Sequence, residues 1–264
     1  MRSVTVLACV ALVSACAIST QQEVEMGASY AAEINRQLPL VQDAELNRYM
    51  NVLGDSLARI ADTRNLDWHF YIVDSPDVNA FAVPGGFIYM NRGLMERATN
   101  LAQVAGVLGH EIGHVTQRHS VEQMQKAQRT NVGVVGVCIF LPSVCGSQTG
   151  QAAISLGANA AMASFSRADE DEADKVAIDY LVRAGIDPQG VPEMFEILLA
   201  ERKSKPDGLD TWFRSHPLEE SRIANGRARI AKYPPESLVG LTRDTPGFQA
   251  FQRRLKALPP SPRQ

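Results

Sequence analysis

Leu101-Ala-Gln-Val-Ala-Gly-Val-Leu-Gly-His-Glu-Ile-Gly-His-Val-Thr-Gln-Arg-His119 is the stretch around which the rest of the chain reads. Leu101, Val104, Ala105, Leu108, Ile112 and Val115 recur at three- and four-residue steps, which predicts a buried helix with Thr99 or Asn100 placed to cap its start. On such a helix His110 and His114 lie one turn apart on one face, so their imidazoles converge on a single point. That pair is the ligand pattern of a divalent metal, Zn2+ before others. Glu111 projects to one side of the pair, where a general base acting on a polarised water has to stand. A surface helix can carry the same letters by coincidence. Metal-binding groups set among apolar residues, however, cost free energy unless something satisfies them, which favours a ligand site.

The second half of such a site lies downstream. Ser166 to Gly185 predicts a helix with Val176, Ala177, Tyr180 and Leu181 facing inward and Gly185 ending it. Its first turn is acidic, and Asp171 and Glu172 need no explanation beyond complementing the helix dipole. Catalytic zinc takes three protein ligands and keeps another position open, so two histidines leave a place that a carboxylate from a second helix can fill. Glu170 and Asp174 share a face of this helix; one can bind the metal while the other hydrogen-bonds a ligand imidazole. His119, five residues past His114, and His69, in a predicted strand, are read as structural.

Upstream, residues 22–38 and 43–61 read as amphipathic helices separated by Pro39, and residues 67–73 alternate as a strand. Asn79, Ala80, Phe81 and Ala82 open a pair of short strands around a Pro84-Gly85-Gly86 turn. Proline is best tolerated at a sheet edge, so this segment is expected to border an open edge where an extended polypeptide pairs by main-chain hydrogen bonds; an ordinary hairpin is the alternative. Residues 191–204 and 219–232 read as scaffold helices.

Taken together, His110-Glu111-x-x-His114, Ser166-Arg167-x-x-Glu170-x-Glu172-Ala173-Asp174, Ser215-His216-Pro217-Leu218-Glu219-Glu220-Ser221-Arg222-Ile223 and the Asn79 to Gly86 segment resemble the signatures of the HtpX and CaaX-prenyl-protease family of gluzincin metallopeptidases. The resemblance spans roughly residues 25–232. It implies Glu170 as third zinc ligand and Asp174 as its supporting partner. His216 is implied near the metal, stabilising an oxyanion or occupying the open position in a latent state. Arg222 is implied to brace the acidic residues or the substrate. The long apolar helices of the integral membrane members are missing from the sequence, which makes it more similar to the soluble periplasmic lipoprotein members and argues against prenylated substrates.

The bulk properties agree with one sizeable core. The 264 residues carry 45% hydrophobic residues and a net charge of -3, with no concentrated basic stripe, so nucleic acid is not an expected partner. Residues 1–15 have the layout of a secretory signal too short to span a bilayer, and Val13-Ser14-Ala15-Cys16 resembles a lipobox that would acylate Cys16; plain secretion is the alternative. Residue 17 is Ala, which by resemblance to Gram-negative sorting implies the outer membrane. Cys138 and Cys145 then remain as a disulfide pair in a Gly/Ala-rich flap at about 131–163, with zinc ligation as the rival reading.

The expectation is therefore an α+β, mainly helical zincin-like domain over 25–240, with a small mixed sheet whose edge strand borders the active-site helix. A 16–24 tether precedes it, and a 241–264 extension ends in a loose tail. Its expected activity is zinc-dependent cleavage of unfolded envelope polypeptides at the outer membrane, near the outer-membrane assembly machinery. A latent protease acting as a chaperone is the rival, and a purely structural lipoprotein with an empty site is a third reading.

Overall fold

Alternation along three short strands sets the layers of the molecule. The structure, a computed structural model, describes residues 18–130, 165–204, 215–217 and 220–262. Strands β1 (His69–Val73), β2 (Ala80–Val83) and β3 (Phe87–Asn91) form a sheet of order β1-β3-β2, with β3 parallel to β1 and antiparallel to β2. The turn joining β2 to β3 holds Gly85 at φ 84° and Gly86 at φ 103°, a region that a β-carbon disfavours. Side chains alternate across the sheet: Phe70, Ile72, Ala80, Ala82, Ile88 and Met90 enter the main core, whereas Val73, Phe81, Val83, Phe87 and Tyr89 enter a second, smaller one. Because both faces are covered, β3 is buried along its whole length.

Helix α1 (Thr20–Gln37), capped reciprocally by Ser19 and Gln22, brings Tyr30 and Ala31 to the smaller core. Helix α2 (Ala44–Ala61), capped by Asp43, lays Leu46, Met50, Leu57 and Ala58 on the main core. After β3 come α3 (Arg92–Arg97), α4 (Leu101–Thr116), α5 (His119–Thr130), α6 (Arg167–Arg183), α7 (Gly190–Ser204), α8 (Glu220–Ile230) and α9 (Pro246–Lys256). Asn100, one of the two expected caps, accepts from the Gln103 amide, and all of Leu101–Val115 is buried. The segment between Pro39 and Val41 bonds along the outside of β1, through Val41 N to Ile72 O and Asp74 N to Pro39 O. Among the described residues β2 pairs only with β3, and this edge strand packs beside α4 as expected.

Helix α9 has a readable signature: Thr245 accepts from Phe248 N, Pro246 occupies the first turn, and Phe248, Phe251 and Leu255 recur at helical spacing on the core. Beyond it the chain is held to the body, since Arg92 donates to the carbonyls of Leu258 and Pro259 and the Ser261 hydroxyl to Asp74. No described helix is long and apolar enough to cross a membrane. The signal segment, Cys16, and the 131–163 flap with Cys138 and Cys145 lie outside the described residues.

Candidate metal centre

Helix α4 can hold two histidines at its buried end because a second helix packs directly against them. Ideal β-carbons at Gly109 and Gly113 would come within 3.0 Å of Leu181 Cδ1 and 2.8 Å of Val176 Cγ2, so the bare glycine face lets α6 approach closely. The start of α6 is fixed by Ser166, which caps the helix reciprocally with Asp169. Phe165, just before this cap, donates its backbone N–H to Ser215 O and so carries the His216 segment to the same place.

Four side chains converge there. The ligand atoms of His110, His114, Glu170 and His216 all lie within 4.8 Å of one another. His110 Nε2 and His114 Nε2 are 3.0 Å apart, His114 Nε2 is 3.3 Å from Glu170 Oε1, and His110 Nε2 is 3.6 Å from Glu170 Oε2. Metal–ligand lengths of about 2.0–2.1 Å place tetrahedral donors roughly 3.4 Å apart, so these spacings suit one small cation. Glu170 Oε1 is buried and has no hydrogen-bond partner, although two imidazoles face its carboxylate. Such an arrangement costs free energy unless a cation lies between the groups. The donor set of two or three nitrogens and one oxygen, buried and orphaned in part, therefore fits a divalent metal.

The surrounding residues prepare these ligands. Burial pushes the pKa values of His114 and His216 well below that of free imidazole, which keeps both rings neutral as metal ligation requires. Burial works against charge on His110 as well, but the Asp174 carboxylate, whose Oδ1 accepts from Nδ1 at 2.9 Å, and the negative charge of Glu170 together outweigh it and raise the pKa. Asp174 is buried too, yet Arg222 donates to both of its oxygens and holds the carboxyl well below the usual range. Arg222 also pairs with Glu170 Oε2 at 2.5 Å, donates to Pro217 O and lies 4.6 Å over the Phe195 ring. Its guanidinium is thus committed to the acidic pair and not turned to an open substrate surface. Glu111, beside the ligands and not among them, has two buried oxygens without hydrogen-bond partners, and burial pushes its pKa up to about 8.

A search among known proteins agrees with the geometry. The chain matches Peptidase family M48 over residues 43–230. It belongs to that family. It is 35% identical over 227 residues to the beta-barrel assembly-enhancing protease of Yersinia pestis and 36% to that of Escherichia coli, covering 83% of this chain and 46% of each relative. It is also 30% identical over 192 residues to metalloprotease LoiP of Escherichia coli, covering 72% of both. The chain thus spans about half the length of the first two relatives.

In this M48 domain the expected residues largely meet: His110, His114, Glu170, Asp174, His216 and Arg222 form one connected cluster with Glu111 at its side. Ala80–Val83 run along the edge strand next to α4, with Asn79 just before them, its side-chain oxygen buried and without a hydrogen-bond partner. His69 stays apart, stacked 4.9 Å from Phe87. His119 does belong to the site: it is 2.9 Å from His114 Nδ1, a contact that sequence spacing does not suggest. A further missed residue is Phe165, whose ring stacks 3.8 Å from His114.

Proposed function

We propose that the chain is a zinc endopeptidase of the bacterial envelope that cleaves unfolded or misassembled proteins in outer-membrane protein quality control. One observation carries the reading: His110, His114 and Glu170 converge within tetrahedral ligand spacing, with the buried Glu111 carboxyl beside them. Bound there, zinc would supply Lewis acidity, polarising a peptide carbonyl and acidifying water. Glu111, its carboxyl buried beside the ligands, accepts the proton of the attacking water and returns it to the leaving amine. Asp174 orients His110, and Arg222 holds Asp174 ionised and pairs with Glu170 as well. The edge strand Ala80–Val83, with Asn79, provides the main-chain face on which an extended substrate adds as another strand. Relatives named for β-barrel assembly support envelope substrates and a place near the outer-membrane assembly machinery.

Lipid attachment at Cys16 and a Cys138–Cys145 bridge form part of the same proposal. Ile18 is 2% exposed, and Arg118, two residues past the end of α4, donates to its carbonyl. Residue 16 can be no more than about 7 Å from residue 18, so an acyl chain on Cys16 would hold the metal-helix end of the domain close to the membrane. Metal analysis and casein cleavage by the wild type and Glu111→Gln test the central claim. Zinc retained with cleavage lost is expected, and retained cleavage refutes the role of Glu111.

A second reading, a largely latent protease acting as a chaperone or assembly factor, has its own observation. His216 lies inside the ligand cluster, 3.6 Å from Glu111 Oε1, and none of His110, Glu111, His114, Glu170 and His216 is more than 1% exposed. A polypeptide needs that enclosure to open. In this reading His216→Ala raises casein cleavage, whereas in an open enzyme, where His216 donates to the developing oxyanion, the same change lowers it.

A further inference from the structure

The two histidines of α4 are supported differently at their outer nitrogens. His110 Nδ1 meets the Asp174 carboxylate, but His114 Nδ1 faces Nδ1 of another imidazole, His119, at 2.9 Å. A ligand histidine that presents Nε2 to a metal keeps its proton on Nδ1 and donates from there. His119 Nδ1 then has to accept, so the His119 proton resides on Nε2, and that atom faces Glu172 Oε2 at 3.4 Å. Each tautomer fixes the next. We infer that His119, backed by Glu172, is the positioning residue for His114, holding the tautomer and ring orientation in which Nε2 faces the metal.

The backbone explains how these residues meet. In an unbroken helix, residues five apart point about 140° away from each other, so 114 and 119 would not touch. Here α4 ends at Thr116, and Arg118 adopts φ 62° before α5 begins at His119. This left-handed residue swings His119 back beneath His114 and is held in place by the pairing of its Nε with buried Glu23 at 2.9 Å. His119 is 2% exposed and the Glu172 side chain 55%, so the hydrogen-bonded line runs from the enclosed centre to the surface. Phe165 stacks on the His114 face and limits its tilt, but a π-face contact cannot select a tautomer. Asp171 and Glu172 share one acidic turn, yet Asp171 pairs with Arg229, which leaves Glu172 alone to meet His119.

This inference rests on the metal centre proposed above, and its test separates the two. The full chain is stripped of metal and its Zn2+ affinity measured by competition with a chromophoric chelator. His119→Phe keeps a ring but removes the acceptor, and is expected to weaken Zn2+ binding by about 10- to 100-fold. His119→Asn places an amide oxygen near the former Nδ1 and is expected to recover most of that loss, with a visible Co2+ spectrum like that of the wild type. Less than about tenfold loss in His119→Phe, or an Asn variant no tighter than Phe, overturns the assignment. Should His119→Phe fail to fold, the exposed Glu172→Ala decides: a measurable loss of affinity supports the relay and an unchanged value overturns it. A wild type that does not bind Zn2+ removes the metal centre itself, an outcome distinct from failure of the relay.

Discussion

Arg222 on α8 donates to both carboxylate oxygens of Asp174 on α6, at 2.8 and 2.7 Å, in a setting where both side chains are more than nine-tenths buried. Asp174 in turn faces His110 Nδ1, so the ion pair lies one step behind the ligand atoms. A buried pair of this kind gains little over an apolar replacement, but removal of Asp174 leaves the buried Arg222 with Glu170 as its one carboxylate partner among the described residues.

Asp174→Asn is therefore expected to destabilise the metal-free protein by about 3–5 kcal/mol at neutral pH. Arg222 depresses the Asp174 pKa in the fold, so this contribution is present above the unfolded value of about 3.9 and is lost as pH falls below it. Denaturation measured against pH checks this: the gap between wild type and variant is expected to narrow on the acid side.

Glu111→Gln is expected to lower the cleavage rate by at least about 100-fold with zinc content unchanged. It carries a stability signature as well. Because burial raises the Glu111 pKa to about 8, the folded metal-free protein holds a proton that the unfolded chain releases near pH 4.5, so wild-type stability declines as pH rises between those values. The Gln variant lacks this decline. It is expected to be more stable at pH 8 by a few kcal/mol, because each tenfold difference in proton affinity between the folded and unfolded chain is worth about 1.4 kcal/mol.

Gly113→Val tests the contact that brings Glu170 into reach. A β-carbon there already meets Val176 Cγ2 at 2.8 Å and Ala173 O at 3.2 Å, so a branched side chain has to push α6 away from α4. Destabilisation of about 1–3 kcal/mol is expected. The displacement also moves the carboxylate, so Zn2+ affinity is expected to fall although no ligand has changed. Isothermal unfolding and chelator competition on the same preparation report the two effects.

Chelation gives a fourth outcome. The core formed by the sheet and α2, α4, α6 and α9 is built from apolar side chains and includes none of the proposed ligands, so the stripped protein is expected to remain folded but inactive, with zinc restoring activity. Its unfolding midpoint is expected to rise with added zinc, by about 2.7 kcal/mol of stability at one hundred times the dissociation constant. An unfolded apo-protein by circular dichroism contradicts this.

The sequence by itself determined the elements whose causes are local. His110, Glu111 and His114 fall within one turn of a single apolar helix, so their relation follows from helical geometry alone, and the ends of α1, α2 and α6 follow from caps and glycines that satisfy backbone groups nearby. Helix α9 was equally legible through Thr245-Pro246 and the spacing of Phe248, Phe251 and Leu255, although it was expected only as an extension. Tertiary structure alone decided which acid does what. Glu170 and Asp174 share a helical face, and only the approach of α6 across the glycines of α4 turns Glu170 to the paired Nε2 atoms and Asp174 to Nδ1 of His110. His119 was invisible for the converse reason: a single left-handed residue, Arg118, cancels the helical phase on which a spacing argument relies, and the ion pair that holds it reaches to Glu23, far away in the chain. Periodicity carries information only while the backbone keeps one conformation; wherever it changes, neighbours are chosen by packing.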